Sequence, residues 1–293
     1  MIKGEFMELT IEKLKELLSG QNYIADESLA VTLYTALRLQ RPLLIEGAAG
    51  VGKTEIAKVL SSALNRPLIR LQCHEGLDES KALYEWNYQK QLLSIQTGMT
   101  CSMGKTDGLF TEEYLLERPL LSAIRSKEPA ILLIDEIDKS DEEFEAFLLE
   151  LLSEMQVTIP ELGTVRAATV PFVVLTSNNT RPLSEALRRR CAFLYLQYPT
   201  PEKEVAIIQA KIPGADEKLA RNVADAVAYL RASDSVVKKP SIAESLDWML
   251  ALISLGASSL NREIAGKTIG FVLKNQDDIE AILEDEGFGS VLH

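Results

Sequence analysis

Residues 47–54 read Gly47-Ala48-Ala49-Gly50-Val51-Gly52-Lys53-Thr54, and this stretch decides how the rest of the chain is read. It fits the pattern G-x-x-x-x-G-K-[ST]. The apolar run before it, RPLLIEG from Arg41 to Gly47, predicts a buried strand. The stretch after it, Lys53 to Leu64, predicts a helix that ends before Asn65 and Pro67. A strand, a glycine turn and a helix in that order make a cradle for phosphate groups. Glycines let the backbone approach an anion closely, and the amide N–H groups at the helix start point at it. Lys53 is expected to bring positive charge to β- and γ-phosphates. The Thr54 hydroxyl is a hard oxygen suited to Mg²⁺. The expected ligands are therefore ATP and Mg²⁺. Gly47, Ala48, Ala49, Gly50, Val51, Gly52, Lys53, Thr54 and Glu55 form the expected nucleotide-binding set.

Working outward, four more apolar runs predict strands: LIRLQC (Leu68–Cys73), ILLID (Ile131–Asp135), PFVVLTS (Pro171–Ser177) and AFLYLQ (Ala192–Gln197). Continuous apolar strands alternating with helices imply an α/β fold, a parallel sheet covered on both faces. Upstream, Thr10 can cap a short helix with Leu14, Leu17 and Leu18 on one face and Gly20 as its stop, and a second helix is predicted from about Asp26 to Leu39. Ser140 followed by Glu143 reads as a capping box. Phe144, Phe147, Leu148, Leu151, Leu152 and Met155 then form one apolar stripe at helical spacing. After Gln197 the pattern changes. Thr200-Pro201-Glu202 opens a helix, and only helical periodicity follows to about Glu284. The expected division is a nucleotide-binding α/β domain over 1–197 and a small all-helical domain over 198–293.

The second half of the chemistry is ILLIDEID. Asp135 and Glu136 stand at the carboxyl end of a buried strand, where open α/β sheets bind ligands. They follow the glycine loop by about eighty residues. Asp135 is expected to hold Mg²⁺ with Thr54, and Glu136 to polarise the attacking water. Asp138 reads as a solvated charge or as a support to the metal ligands. Guanine recognition often uses N-K-x-D, which does not occur, so adenine is the expected base. Tyr23, Ile24 and Ala25 offer either a slot for that base or core packing.

Composition bounds the remaining classes. The chain has 293 residues, 46% hydrophobic and 25% charged, the balance of an ordinary globular protein. Its formal charge of −12 argues against a surface built to grip nucleic acid through phosphates. Charges at Lys3, Glu5 and Glu8 break up the N-terminus, so it does not read as a signal peptide. No run approaches the roughly 20 apolar residues that span a bilayer, and the expected location is cytoplasmic. Cys73, Cys101 and Cys191 are too few and too scattered for a disulfide framework or a zinc site, and the only histidines are His74 and His293.

The strands, the acid pair and the helical tail together resemble the AAA+ ATPases. VVLTSNNT ends the fourth strand with Asn178 and Asn179, similar to the position called sensor 1, a polar side chain that reaches the γ-phosphate or the water. Asn178 aligns best and Asn179 is the alternative; an Asx turn after the strand is the plain reading. LSEALRRRC carries Arg188, Arg189 and Arg190 and resembles the segment with the arginine finger, which enters the neighbouring subunit's site. Arg190 is the chosen finger, although three arginines also suit a solvated helix end.

Two inserts narrow the resemblance. One spans about 75–120 and contains LYEWNYQKQLLSIQ; the other, about 157–167, reads as a hairpin, VTIPELGTVRA. With LQCHEGLDES and VLTSNNTRPLSEALRRRC they resemble the MoxR family, and its CoxD-like branch most. That resemblance implies a homo-oligomeric, hexameric ring acting as an ATP-driven chaperone. It implies a protein client, a molybdenum-type metalloenzyme among the options, and a von Willebrand factor A-domain partner. A nucleic-acid motor or loader is the competing class. One departure stands out. The segment KKPSIAESLDW lacks the arginine that such proteins carry at sensor 2, near Ile242 to Glu244; Lys238 or Lys239 either substitutes or is a solvated pair.

Overall fold

In a computed structural model, residues 9–97 and 109–292 are described. Cys101, His293, the charged N-terminus and the polar part of the first insert lie outside them. In chain order the elements are α1 (Ile11–Ser19), α2 (Glu27–Leu39), β1 (Leu43–Gly47), α3 (Lys53–Ala63), β2 (Leu68–Gln72) and α4 (Glu79–Ala82). Next come β3 (Tyr84–Trp86), α5 (Tyr88–Gln96), β4 (Leu115–Glu117), α6 (Pro119–Arg125), β5 (Ile131–Asp135) and α7 (Glu142–Glu154). The hairpin β6 (Gln156–Ile159) and β7 (Gly163–Arg166) precedes β8 (Phe172–Ser177), α8 (Glu185–Arg190) and β9 (Ala192–Leu196). Helices α9 (Pro201–Lys211), α10 (Glu217–Ala232), α11 (Ile242–Ser254), α12 (Arg262–Thr268), α13 (Gln276–Glu284) and α14 (Glu286–Val291) complete the order.

The sheet order is β2-β5-β8-β1-β9. Strands β2 with β5, β5 with β8 and β8 with β1 pair in parallel. Every residue of β1, β5 and β8 is buried. That burial is why these strands read as apolar runs, with buried polar side chains only toward their carboxyl ends, at Glu46, Asp135, Thr176 and Ser177. The edge strand β2 instead exposes Arg70 and Gln72, two residues on one face of the strand. Register places Gln72 opposite Asp135 and Glu46 opposite Ser177, which aligns the carboxyl ends of the strands. The five-stranded α/β reading of the sequence is therefore the observed fold.

The chain divides into two compact units. The first, Met1–Lys15, Glu27–Glu46 and Thr54–Tyr195, holds the sheet. Its core joins Leu132, Ile134, Val173 and Leu175 to Leu120, Leu121, Leu148 and Leu187. The second comprises Glu16–Asp26, the glycine loop Gly47–Lys53 and Leu196–His293. Its helices close around Trp248, fully buried, whose indole N–H donates to Thr268 Oγ1 at 2.8 Å. Removing such a ring costs about 3–5 kcal/mol. A buried ion pair, Arg231 with Glu204 at 2.5 Å, ties α10 to α9. Arg231 also lies 4.6 Å from the centre of the Tyr198 ring.

One local expectation changes, one open alternative is decided and one pair of strands is new. The N-cap of α7 is Asp141, whose side chain accepts from Phe144 N at 2.8 Å, and not Ser140. Ser140 is used one turn earlier: its hydroxyl donates to Ile137 O at 2.8 Å and ends a short 3₁₀ turn. Asp138 is buried, not solvated. The first insert contains the short antiparallel pair β3–β4 beside α5, which the sequence did not announce.

Candidate active site

The glycine loop bends through left-handed backbone at Gly50 (φ 78°) and Gly52 (φ 91°), which only glycine adopts readily. A Cβ on Gly52 would meet nothing within 4 Å, so the loop is open there. At Gly50 the space is taken: Gly50 O accepts from Ile242 N at 3.1 Å, and a Cβ would lie 2.1 Å from Ser241 Cβ. Lys53 folds over the loop, its ammonium donating to Gly47 O at 2.8 Å and Ala48 O at 2.7 Å. It is 6% exposed. A lysine this buried would be costly without partners; here the loop carbonyls hold the charge where a polyanion would arrive.

Helix α3 begins at Lys53, so Thr54 projects from its first turn. Its hydroxyl donates to Asp135 Oδ1 at 2.9 Å. Two hard oxygen ligands thus stand together at the end of β5, a donor set that fits Mg²⁺. Asp135 takes two further bonds, from Thr176 Oγ1 on β8 and from Arg70 Nη2 on β2, both at 2.5 Å.

Glu136 sits at φ 57°, ψ 48°, a left-handed conformation that costs a non-glycine residue about 1–2 kcal/mol. Backbone held this way at the tip of a strand is common where a side chain must be aimed. Its N–H donates to Thr176 Oγ1 at 2.9 Å. Its carboxylate takes Gln72 Nε2 at 2.8 Å, Lys139 Nζ at 2.6 Å and Asn178 Nδ2 at 3.5 Å. The hydrogen bond to Glu136 raises the Lys139 pKa.

Asn178 is placed by Asp138. One carboxylate oxygen of Asp138 accepts from Asn178 N at 3.2 Å; the other takes Thr180 N at 3.0 Å and Thr180 Oγ1 at 2.6 Å. Asn179 adopts φ 58°, and its N–H donates to Ser177 Oγ at 3.0 Å. Of the two asparagines offered by the sequence, Asn178 is the one beside the acid.

The three arginines of α8 separate cleanly. Arg188 pairs with buried Glu46 at 2.5 Å. Exposed Arg189 pairs with Glu185 along the helix at 2.6 Å. Arg190 is also exposed, with Nε donating to Ser153 Oγ at 2.9 Å. In the second unit, Ser241 and Glu244 form a capping box at the start of α11, and Lys239 Nζ donates to Ser233 O at 2.5 Å. Tyr23, Ile24 and Ala25 are half-buried and join neither apolar core. Cys73 is buried, and desolvation, reinforced by the Asp135 charge, pushes its thiol up to about 12. Burial and the raised pKa both disfavour the reactive thiolate form.

Sequence reasoning missed Arg70, Gln72 and Thr176. Arg70 and Gln72 share one face of β2, a polar pair on a short strand. Thr176 is a lone hydroxyl in the apolar run of β8. Those were the available signals.

A family model described as AAA domain, dynein-related subfamily, matches residues 42–191. The chain belongs to this family. The match begins just before the strand that leads into the glycine loop of the AAA protein and ends just after its arginines. An uncharacterised protein of Staphylococcus saprophyticus is 27% identical over 245 residues, covering 81% of this chain and 86% of that protein. One from Staphylococcus haemolyticus is 29% identical over 188 residues, covering 62% and 65%. Among solved structures, a provisionally assigned ATPase of Cytophaga hutchinsonii shares 18% identity over 94% of this chain and 86% of that one, with a TM-score of 0.48. RuvB of Thermotoga maritima shares 18% identity over 88% and 68%, also at 0.48. Among the described residues of the AAA protein, no helix is long and apolar enough to cross a membrane.

Proposed function

We propose that this AAA protein is a magnesium-dependent ATP hydrolase. The observation that carries the reading is the bond between Thr54 and Asp135, 2.9 Å long and spanning 81 positions of sequence. It joins the phosphate-loop motif to the acid motif. Thr54 and Asp135 would hold the magnesium ion, which neutralises phosphate charge when bound. The loop amides and Lys53 bind and orient the triphosphate. Glu136 accepts a proton from water as the water oxygen attacks the γ-phosphorus, while the bond from that phosphorus to the bridging oxygen breaks and ADP leaves. Asn178 positions the same water. Arg190, exposed at the end of α8, would act on a neighbouring copy and stabilise transition-state charge.

The finer reading rests on the sequence resemblance. The protein works as a homo-oligomeric, hexameric ring of the MoxR type, in the cytoplasm, coupling hydrolysis to the remodelling of a protein client. A molybdenum-type metalloenzyme is the client class and a von Willebrand factor A-domain protein the adaptor. The acidic balance disfavours nucleic acid as the substrate.

The test is direct. Lys53→Ala is expected to abolish nucleotide binding in calorimetry. Glu136→Gln is expected to keep binding and to lower turnover by about 10²–10⁴. Hydrolysis by Glu136→Gln at the native rate would remove Glu136 from the reaction.

A further inference from the structure

Asp135 is a buried carboxylate, its side chain 4% exposed. A charge in that position needs compensation. Oxygen Oδ1 receives the hydroxyls of Thr54 and Thr176, which are neutral donors. Oxygen Oδ2 receives Arg70 Nη2 at 2.5 Å, the one cation paired with Asp135 among the described ion pairs. Arg70 comes from β2, the neighbouring edge strand, and its side chain is 48% exposed. The same guanidinium nitrogen reaches Gln72 Oε1 at 2.5 Å. Arg70 is thus held by two short contacts on one side and open to water on the other.

We infer that Arg70 is a built-in counter-cation that competes with magnesium for Asp135. This rests on the magnesium-site reading given under Proposed function. A divalent ion on Asp135 and a guanidinium on its Oδ2 would repel each other at close range. Metal loading therefore requires Arg70 to release Asp135, and its exposure gives it a solvated place to go. While the metal is absent, Arg70 supplies the cation beside the buried Asp135 and ties the end of β5 to β2. Arg70 is a positioning residue that sets the magnesium threshold of the site. The sign of its effect is distinctive: a positive residue that served the triphosphate would strengthen metal–nucleotide binding, whereas Arg70 opposes the metal.

The experiment compares melting temperatures of the wild type, Arg70→Ala, Arg70→Gln and Arg70→Ala/Asp135→Asn. Each is measured in EDTA and in magnesium chloride, without and with ADP. Without metal, Arg70→Ala and Arg70→Gln are expected to melt below wild type. Magnesium is expected to raise both by about 2 °C more than it raises wild type, and the double variant is expected to show no such gain. A magnesium shift in both single variants equal to or smaller than that of wild type overturns the inference. If magnesium with ADP moves no variant, wild type included, the nucleotide reading fails instead, and the arm with magnesium alone still decides the role of Arg70.

Discussion

Asn178 Nδ2 stands 3.5 Å from Glu136 Oε1, although 42 positions separate them in the chain. The contact sits where β5 and β8 end side by side, so the group proposed to activate water and the group proposed to orient it share one place. An amide at this distance restrains the carboxylate without neutralising it. Asn178→Ala is expected to lower ATP turnover about 10²- to 10³-fold, the loss typical of removing one transition-state hydrogen-bond donor. Nucleotide affinity is expected to stay within about twofold of wild type, since Asn178 is expected to act only as the bond breaks. Steady-state kinetics with separate calorimetry checks this. Loss of affinity with turnover preserved would assign Asn178 to binding.

Asp138 supports that geometry, and its titration gives a pH signature. Burial works to raise its pKa, but hydrogen bonds from the Thr180 hydroxyl, Thr180 N and Asn178 N outweigh burial and bring it below the ordinary 3.8. The unfolded chain therefore binds more protons than the native one in the window between the two values. Stability from Asp138 is full above about pH 4 and is lost as pH falls through the depressed native value. Asp138→Asn turns a donor toward the Asn178 and Thr180 amides and is expected to cost about 1–3 kcal/mol at neutral pH. Thermal melts of both proteins should show a constant gap from pH 7 to about pH 5 and a narrowing gap below about pH 4. A gap unchanged into acid would show that Asp138 contributes no titrating stability.

The sheet was legible because β1, β5 and β8 are buried, which fills most of their positions with apolar residues and leaves polar ones, each with a partner, to the carboxyl ends. The glycine loop was legible because its residue types answer a chemical requirement at fixed spacing. The short strands β3 and β4 were not, since three residues such as YEW or LLE carry no period. The α7 cap was misplaced by one residue because Ser140 and Asp141 are both good capping residues in adjacent positions. A 3₁₀ turn, invisible to spacing, had already engaged Ser140. Arg70 and Gln72 escaped notice for a different reason. Their significance depends on β2 lying next to β5, and strand order is a tertiary fact.

Gly50 and Gly52 both require positive φ, yet they should respond differently to substitution. Gly52→Ala adds a methyl into open space and pays only the left-handed backbone cost, about 1–2 kcal/mol. Gly50→Ala adds that cost and drives Cβ to within 2.1 Å of Ser241 Cβ. Ser241 cannot withdraw freely, because its capping box and the Ile242 N to Gly50 O bond fix the start of α11. Gly50→Ala is therefore expected to melt several degrees below Gly52→Ala in nucleotide-free buffer. Equal melting temperatures would mean that the start of α11 yields without cost.

Arg188 and Arg190 are two residues apart on α8 and should fail in opposite ways. Arg188 compensates Glu46, which is 4% exposed on β1. Arg188→Ala leaves that carboxylate buried without its cation and is expected to cost about 1–3 kcal/mol of stability. Arg190 is exposed, and its contacts to Ser153 Oγ and Ala186 O are replaceable by water. Arg190→Ala is expected to melt with the wild type yet lose about 10³-fold or more in turnover, the scale of an arginine acting across an interface. Mixing it with Glu136→Gln separates a trans role from a local one. Each variant alone is expected to be nearly inactive, but a mixed ring of the proposed kind would keep one type of interface with both an intact Glu136 and an intact Arg190. Partial recovery of hydrolysis on mixing, together with specific activity that rises with protein concentration, is the expected result. No recovery in mixtures shown by light scattering to assemble would return Arg190 to the role of a solvated helix end.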